Sequence, residues 1–213
     1  MKVVRYELIP ERELLQLLKQ TRLRGHGQPQ VYADASLELI RRVAPDTLVP
    51  AQRYVLEEDF RRIEALHREF LSRSVDIFAL EGGLLFWAED PETSEIEGPI
   101  PLIPPVVEES REEGGRVVQL INDGMHRVYA ARRLGRRINI VLVRNVPPQY
   151  PYYAKPLEEG WNGVEELSAL PDNYLKKTYR DPENYKALFR DFNEHFPGIQ
   201  KQRKRSNPEQ LRG

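Results

Sequence analysis

The sequence predicts an α+β fold: a mixed sheet with helices packed on it, followed by a helical C-terminal extension. Two stretches and the composition carry that expectation. In the first stretch, the apolar run Val117 to Ile121 has strand length, Asp123-Gly124 is turn chemistry, Met125 to Leu134 is helical and stopped by Gly135, and Ile138 to Val143 is a second apolar run. In the second, Leu56, Phe60, Ile63, Leu66, Phe70 and Leu71 recur at spacings of three and four, the pattern of an amphipathic helix. With 213 residues, 40% of them hydrophobic, the chain is long and apolar enough for one real core with appendages.

Taken in order, residues 2–9 alternate loosely as a strand, and Pro10 opens a helix that turns Leu14, Leu15, Leu17 and Leu18 inward. Arg22 to Gln30 is a loop holding His26, with Lys19, Arg22 and Arg24 nearby. It reads as a solvated loop ahead of a ligand contact. Asp34 or Ser36 caps a second helix carrying Leu37, Leu39, Ile40 and Val43, ended by Pro45. Ile77 to Leu80 and Leu84 to Trp87 flank Glu81-Gly82-Gly83 as a hairpin. Glu89 to Pro99 is an acidic surface loop, Pro101 to Val107 a proline-interrupted strand, and Glu108 to Gly115 a charged turn. His67 is a boundary residue without chemistry. Tyr150, Tyr152 and Tyr153 sit among Pro147, Pro148, Pro151 and Pro156. They could stack on a base, but anchoring an extended proline-rich segment is the favoured reading. A last helix begins at Asp181-Pro182 and presents Tyr185, Leu188, Phe189, Phe192 and Phe196 on one face. The organisation expected is a domain over 1–146, an extension packed on it over 147–200, and a basic tail over 201–213.

The chemistry is expected at the turn before the central helix. Gly124 is free to adopt a left-handed backbone, and Met125, His126 and Arg127 then form a first helical turn whose N–H groups have no intrahelical acceptor. Those donors and the helix dipole favour an anion, and two side chains able to carry positive charge stand beside them. A phosphate group is the natural ligand. Lys and Arg number 32 against 33 Asp and Glu, for a net charge of −1, so nucleic acid is not attracted by the chain as a whole. Lys201, Arg203, Lys204 and Arg205 offer a local basic tail for nucleic acid, but one without interleaved aromatics, and a solvated terminus is favoured. The absence of Cys removes disulfides, thiolate metal sites and thiol nucleophiles. No stretch has the length needed to span a bilayer, so no membrane partner and a cytoplasmic location are expected.

Asp123-Gly124-Met125-His126-Arg127, with small residues at Ala130 and Ala131 and Leu134-Gly135 closing the helix, resembles the signature of the ParB/sulfiredoxin-like superfamily, over roughly residues 99–144. Members with Asp-Gly-x-His-Arg include the free serine kinases. The resemblance implies a ParB/sulfiredoxin-like mixed sheet that binds ATP or a related nucleotide with Mg²⁺. Gly124, Met125, His126 and Arg127 would hold phosphate, His126 and Asp123 would be catalytic, and Asp123 would hold Mg²⁺ or accept a proton from a small hydroxyl substrate. Sulfiredoxin chemistry is excluded, because the Cys it needs is replaced by Met125. Two registers fit the family's opening segment. Leu8-Ile9-Pro10-Glu11 offers Glu11 and Glu13 as general base, and Leu48-Val49-Pro50-Ala51 offers Glu57 and Glu58 after Gln52. The alternative to an enzyme is a nucleotide-responsive, DNA-associated or regulatory protein of the same superfamily.

Overall fold

The computed structural model describes residues 2–90, 93–192 and 195–196. In chain order the elements begin with strand β1 (Lys2–Pro10), helix α1 (Glu11–Lys19), β2 (Arg22–Leu23), β3 (Ser36–Val43), β4 (Tyr54–Leu56) and α2 (Glu57–Leu71). They continue with β5 (Gly82–Glu89), β6 (Ile96–Leu102), β7 (Val106–Arg111), β8 (Val117–Ile121), α3 (Met125–Arg133), β9 (Ile138–Arg144), β10 (Glu165–Leu167) and β11 (Arg190–Asp191). Two sheets carry the fold. One is antiparallel in the order β1-β5-β6, the other mixed in the order β3-β9-β7-β8. Within the mixed sheet β9 runs parallel to β7 and antiparallel to β3, while β8 runs antiparallel to β7. The expected α+β architecture, with strand, helix and strand around residue 124, is therefore present. No helix among the described residues is long and apolar enough to cross a membrane.

Strand β9 is buried on both faces, as its apolar run, broken only by the hydrogen-bonded Asn139, requires. Ile138, Ile140 and Leu142 join Val128, Ala131 and Phe70 in one core, and Val141 and Val143 join Leu14, Leu18 and Tyr32 in another. Helix α3 ends in a Schellman arrangement: Gly135 takes φ 62°, its N–H donates to Arg132, and the Arg136 N–H donates to Ala131. Between β6 and β7, Ile103-Pro104-Pro105 carries the chain from one sheet to the other. The expected single strand over Pro101 to Val107 is thus split, because prolines that cannot donate to a ladder mark the crossing.

Several sequence expectations are corrected. Residues 36–43 form β3 and not a helix. Arg42 takes φ 55° at a break in register against β9, so Ile40 and Val43 pack on one core while Leu39 faces the other. That extra residue creates the spacing of three that mimics helical periodicity. Ile77 to Leu80 is no hairpin strand. Asp76 caps a turn by accepting from the Phe78 N–H, which buries Ile77 and Phe78, and β5 pairs with β1 instead. The loop expected to run to Pro99 ends where β6 begins at Ile96, and the charged turn expected from Glu108 begins only after Arg111. Leu56 lies in β4, Leu71 is exposed, and His67 is buried against Phe78. The helix expected from Asp181 is a short 3-10 turn at Tyr185–Leu188 leading into β11. Its aromatic residues divide: Tyr185 and Phe189 meet each other and join Tyr179 and Tyr153, while Phe192 meets Tyr32. The tail at 201–213 lies outside the described residues.

The extension from Val146 onward is fastened by one fully buried ion pair. Arg190 Nε and Nη2 donate to the two carboxylate oxygens of Glu108, at 2.7 and 3.1 Å. Its remaining donors meet the carbonyls of Tyr150, Pro151 and Leu188, and Tyr32 donates its hydroxyl to the same carboxylate. Burial pulls the Arg190 pKa down, but the charge and hydrogen bonds of Glu108 outweigh that and leave it above its ordinary value. Replacing Arg190 by Met strands a buried carboxylate and is expected to cost about 3–5 kcal/mol in urea unfolding. Adding Glu108→Leu to that variant should recover much of the loss. A single-variant cost under about 1 kcal/mol would show that the pair does not hold the extension.

Candidate functional site

The turn is built by β7 and β8 together. The N–H groups of Asn122 and Asp123 both donate to the Val106 carbonyl, at 2.9 and 3.1 Å, and bend the chain away from the sheet. Gly124 follows with φ 79°. A Cβ there would stand 2.9 Å from both the Pro105 Cβ and the Arg127 Nη2, so backbone angle and space both demand glycine. The Gly124 carbonyl accepts from Arg127 and Val128, and no side chain caps α3. Among the described residues the N–H groups of Met125 and His126 receive no acceptor, which leaves them pointing at whatever approaches the turn.

The two basic residues of the motif part company. His126 turns to the α2 side, with Nε2 at 3.5 Å from Asp59 Oδ2 and 3.4 Å from Gln52 Nε2, while Gln52 donates to the Tyr54 carbonyl. Burial lowers the His126 pKa, Asp59 and Asp123 push it up, and Lys176 and Arg127 push it down. The imidazole is consequently neutral at neutral pH. Arg127 turns inward: its buried guanidinium donates to the Ile103 carbonyl and lies 3.7 Å from Asp123 Oδ2. Burial lowers its pKa against the pull of Asp123. It braces the sheet crossing from beneath the turn.

Asp123 is 43% exposed and opens onto a cavity of about 180 Å³, floored by Asn122, walled by Tyr152, Tyr153, Phe189 and Phe192 and rimmed by Arg24. The Asn122 Oδ1 is buried there without a hydrogen-bond partner. Lys177 adjoins the same tyrosines, its Nζ 2.8 Å from the Tyr152 hydroxyl and 2.6 Å from that of Tyr153. Burial, aided by Lys176 and opposed by Asp123, pulls its pKa down to about 7. Tyr152 is fully buried and donates to the Asn122 carbonyl, so the tyrosines do anchor the proline-rich segment as expected, and they wall this cavity as well. A larger cavity of about 490 Å³ lies along β7 against Pro147, Pro148 and Pro151 and includes no residue of the turn.

Of the two segments the sequence left open, the second pairs with β8: the Val49 N–H donates to the Gln119 carbonyl and the Val49 carbonyl accepts from Ile121. Leu48-Val49-Pro50-Ala51 therefore runs beside the turn and delivers Gln52 to His126. None of the four candidate bases joins the site: Glu11 pairs with Arg41, Glu57 with Arg61 and Glu58 with Arg62, and Glu13 is exposed on α1. The acid that does reach it is Asp59, one position beyond those considered. It is the third residue of α2 and reaches the His126 ring from there. Lys177 carried no local signal at all. Residues 13–165 match the ParB CE domain. The chain belongs to this ParB family. No curated protein and no solved structure matches it. The matched span takes in α1 through β10, including the turn, and stops before Lys177 and Arg190.

The His126 environment gives a pH signature. A folded pKa below the unfolded value of about 6.5 means that the unfolded chain binds more protons as the pH falls through that value, so this residue's contribution to stability is lost on acidification. In an NMR titration the His126 ring should titrate below free imidazole, and Asp59→Asn should lower its midpoint further. An unchanged or higher midpoint in the variant would contradict the pairing.

Proposed function

We propose that the turn Asp123 to Arg127 binds a phosphate of ATP or a related nucleotide such as CTP, with Mg²⁺, and that the protein transfers a phosphoryl group to the hydroxyl of a small substrate. The observation that carries the reading is the uncapped start of α3, where a left-handed glycine presents the N–H groups of Met125 and His126 with no acceptor from the protein. The resemblance of Asp123 to Arg127 to the Asp-Gly-x-His-Arg subgroup supports the same reading.

The residues fit such a ligand. The amides of Gly124, Met125 and His126 cradle phosphate oxygens, and the His126 ring, held at Nε2 by Asp59, donates from Nδ1 once the phosphate's charge favours its protonated form. Arg127 acts from below, holding the turn's shape and adding positive potential. Among the described residues no three His, Cys, Asp or Glu side chains gather as a metal cage, so Mg²⁺ would rest on the Asp123 carboxylate and on the nucleotide itself. When bound, the ion would offset phosphate charge. Asp123 also faces the cavity where a hydroxyl substrate would lie, within reach to receive its proton. Membership of the ParB family favours a second reading, a nucleotide-responsive DNA-associated protein without turnover, which has no need of the Asp123 carboxylate.

Calorimetric titration with ATP and CTP, each with Mg²⁺, tests the first step, and micromolar or tighter binding of at least one is expected. Asp123→Asn should leave that affinity within about threefold while abolishing nucleotide turnover in the presence of substrate. Absence of binding to either nucleotide would refute the reading of the turn. Binding without turnover, combined with a nucleotide-dependent affinity for duplex DNA, would move the assignment to the second reading.

A further inference from the structure

We infer that Lys177, which the C-terminal extension holds against the hydroxyls of Tyr152 and Tyr153, is a ligand for the phosphate chain of the nucleotide. The inference rests on the reading of the turn as the phosphate site. Its own support is separate, because it comes from an unfinished arrangement around the ammonium group.

An ammonium has three N–H donors. Two are taken by Tyr152 and Tyr153, whose phenols burial keeps neutral by raising their pKa values, so they solvate the charge without balancing it. The third has no acceptor among the described residues, and no carboxylate there lies within ion-pair distance of Nζ. Asp123 is felt only through its field, while Lys176 adds like charge. A largely buried cation without a counter-ion is unfavourable unless an anion completes it. The lowered pKa is the expected symptom of that gap.

The group is also held in place. Tyr152 spans from Lys177 to the Asn122 carbonyl, tying the ammonium to the residue that precedes Asp123. On either side the chain is fixed by backbone hydrogen bonds, from Arg53 to the Lys176 carbonyl and from Lys155 to the Thr178 carbonyl. The ammonium is thus tied through one tyrosine to the backbone of the turn, near enough for Asp123 to act on it electrostatically. A chain of phosphates lying on α3 would meet a positive charge from the side the motif leaves open.

The test compares wild type, Lys177→Met and the exposed control Lys186→Met by calorimetry with AMP, ADP and ATP in the presence of Mg²⁺. For Lys177→Met the affinity for ATP should fall about ten- to a hundredfold, with a smaller loss for AMP, and Lys186→Met should bind as wild type. Equal affinity of Lys177→Met and wild type for ATP, or an equal loss across all three nucleotides, would overturn the inference while leaving the turn as the phosphate site. Failure of wild type to bind any of them would remove both. Should Lys177→Met not fold, acetic anhydride labelling of wild type followed by peptide mass spectrometry decides. Slower labelling of Lys177 than of Lys186 on adding ATP with Mg²⁺ supports the assignment, and an unchanged ratio overturns it.

Discussion

The buried pair of Glu108 and Arg190 is the constraint on which the rest of the molecule depends. Glu108 belongs to a central part of the mixed sheet and Arg190 to the last described strand, so their union closes the chain over itself. The guanidinium also gathers three carbonyls of the extension, those of Tyr150, Pro151 and Leu188, and so fixes its path at two points far apart in sequence. This explains why aromatic residues with helical spacing end in an irregular, extended path. Charge in the core decides their conformation, because an unpaired Glu108 would cost more than the helix could return. By holding the extension down, the pair also gives the cavity beside Asp123 its tyrosine and phenylalanine walls.

At the turn, residues adjacent in sequence are assigned to different tasks. Arg127 sustains the backbone from within, His126 faces α2, and Asp123 faces the cavity. The side chain with the strongest charge is thus the least accessible one. What the turn offers a ligand is mainly main-chain N–H groups, with side-chain charge provided from elsewhere in the fold. Such an arrangement keeps the donors rigid, since their positions are fixed by the Val106 carbonyl and by the left-handed Gly124 and do not depend on the rotamer of a long side chain.

The parts legible in the sequence were those encoded by local pattern. The run from Val117 to Val143 announces strand, turn, helix and strand because each signal is contiguous, and α1 and α2 follow from their apolar spacing and from Pro10 and the acids of the first turns. Where the signal was ambiguous, a pairing made elsewhere decided. The bulge at Arg42 gave β3 the spacing of a helix, and only its ladder with β9 makes it a strand. Glu108 looked like part of a charged turn because its partner lies 82 residues further on. Asp59 and Lys177 were invisible for the same reason: Asp59 reaches His126 through α2, Lys177 reaches Tyr152 and Tyr153 through the folded extension, and neither distance is written in the neighbouring residues.

The crossing at Ile103-Pro104-Pro105 ties the site to the mechanics of the whole protein. Ile103 gives its carbonyl to Arg127, Pro105 gives its carbonyl to Val141, and Val106 receives both Asn122 and Asp123. The turn at Gly124 and the joint between the two sheets are therefore one hydrogen-bonded body. Parting the sheets at this joint breaks the turn, so a ligand seated on it must leave before they can separate. Occupancy then acts as a lock on global opening, and amide protons deep in both sheets, far from any contact with the ligand, should exchange more slowly when the turn is filled.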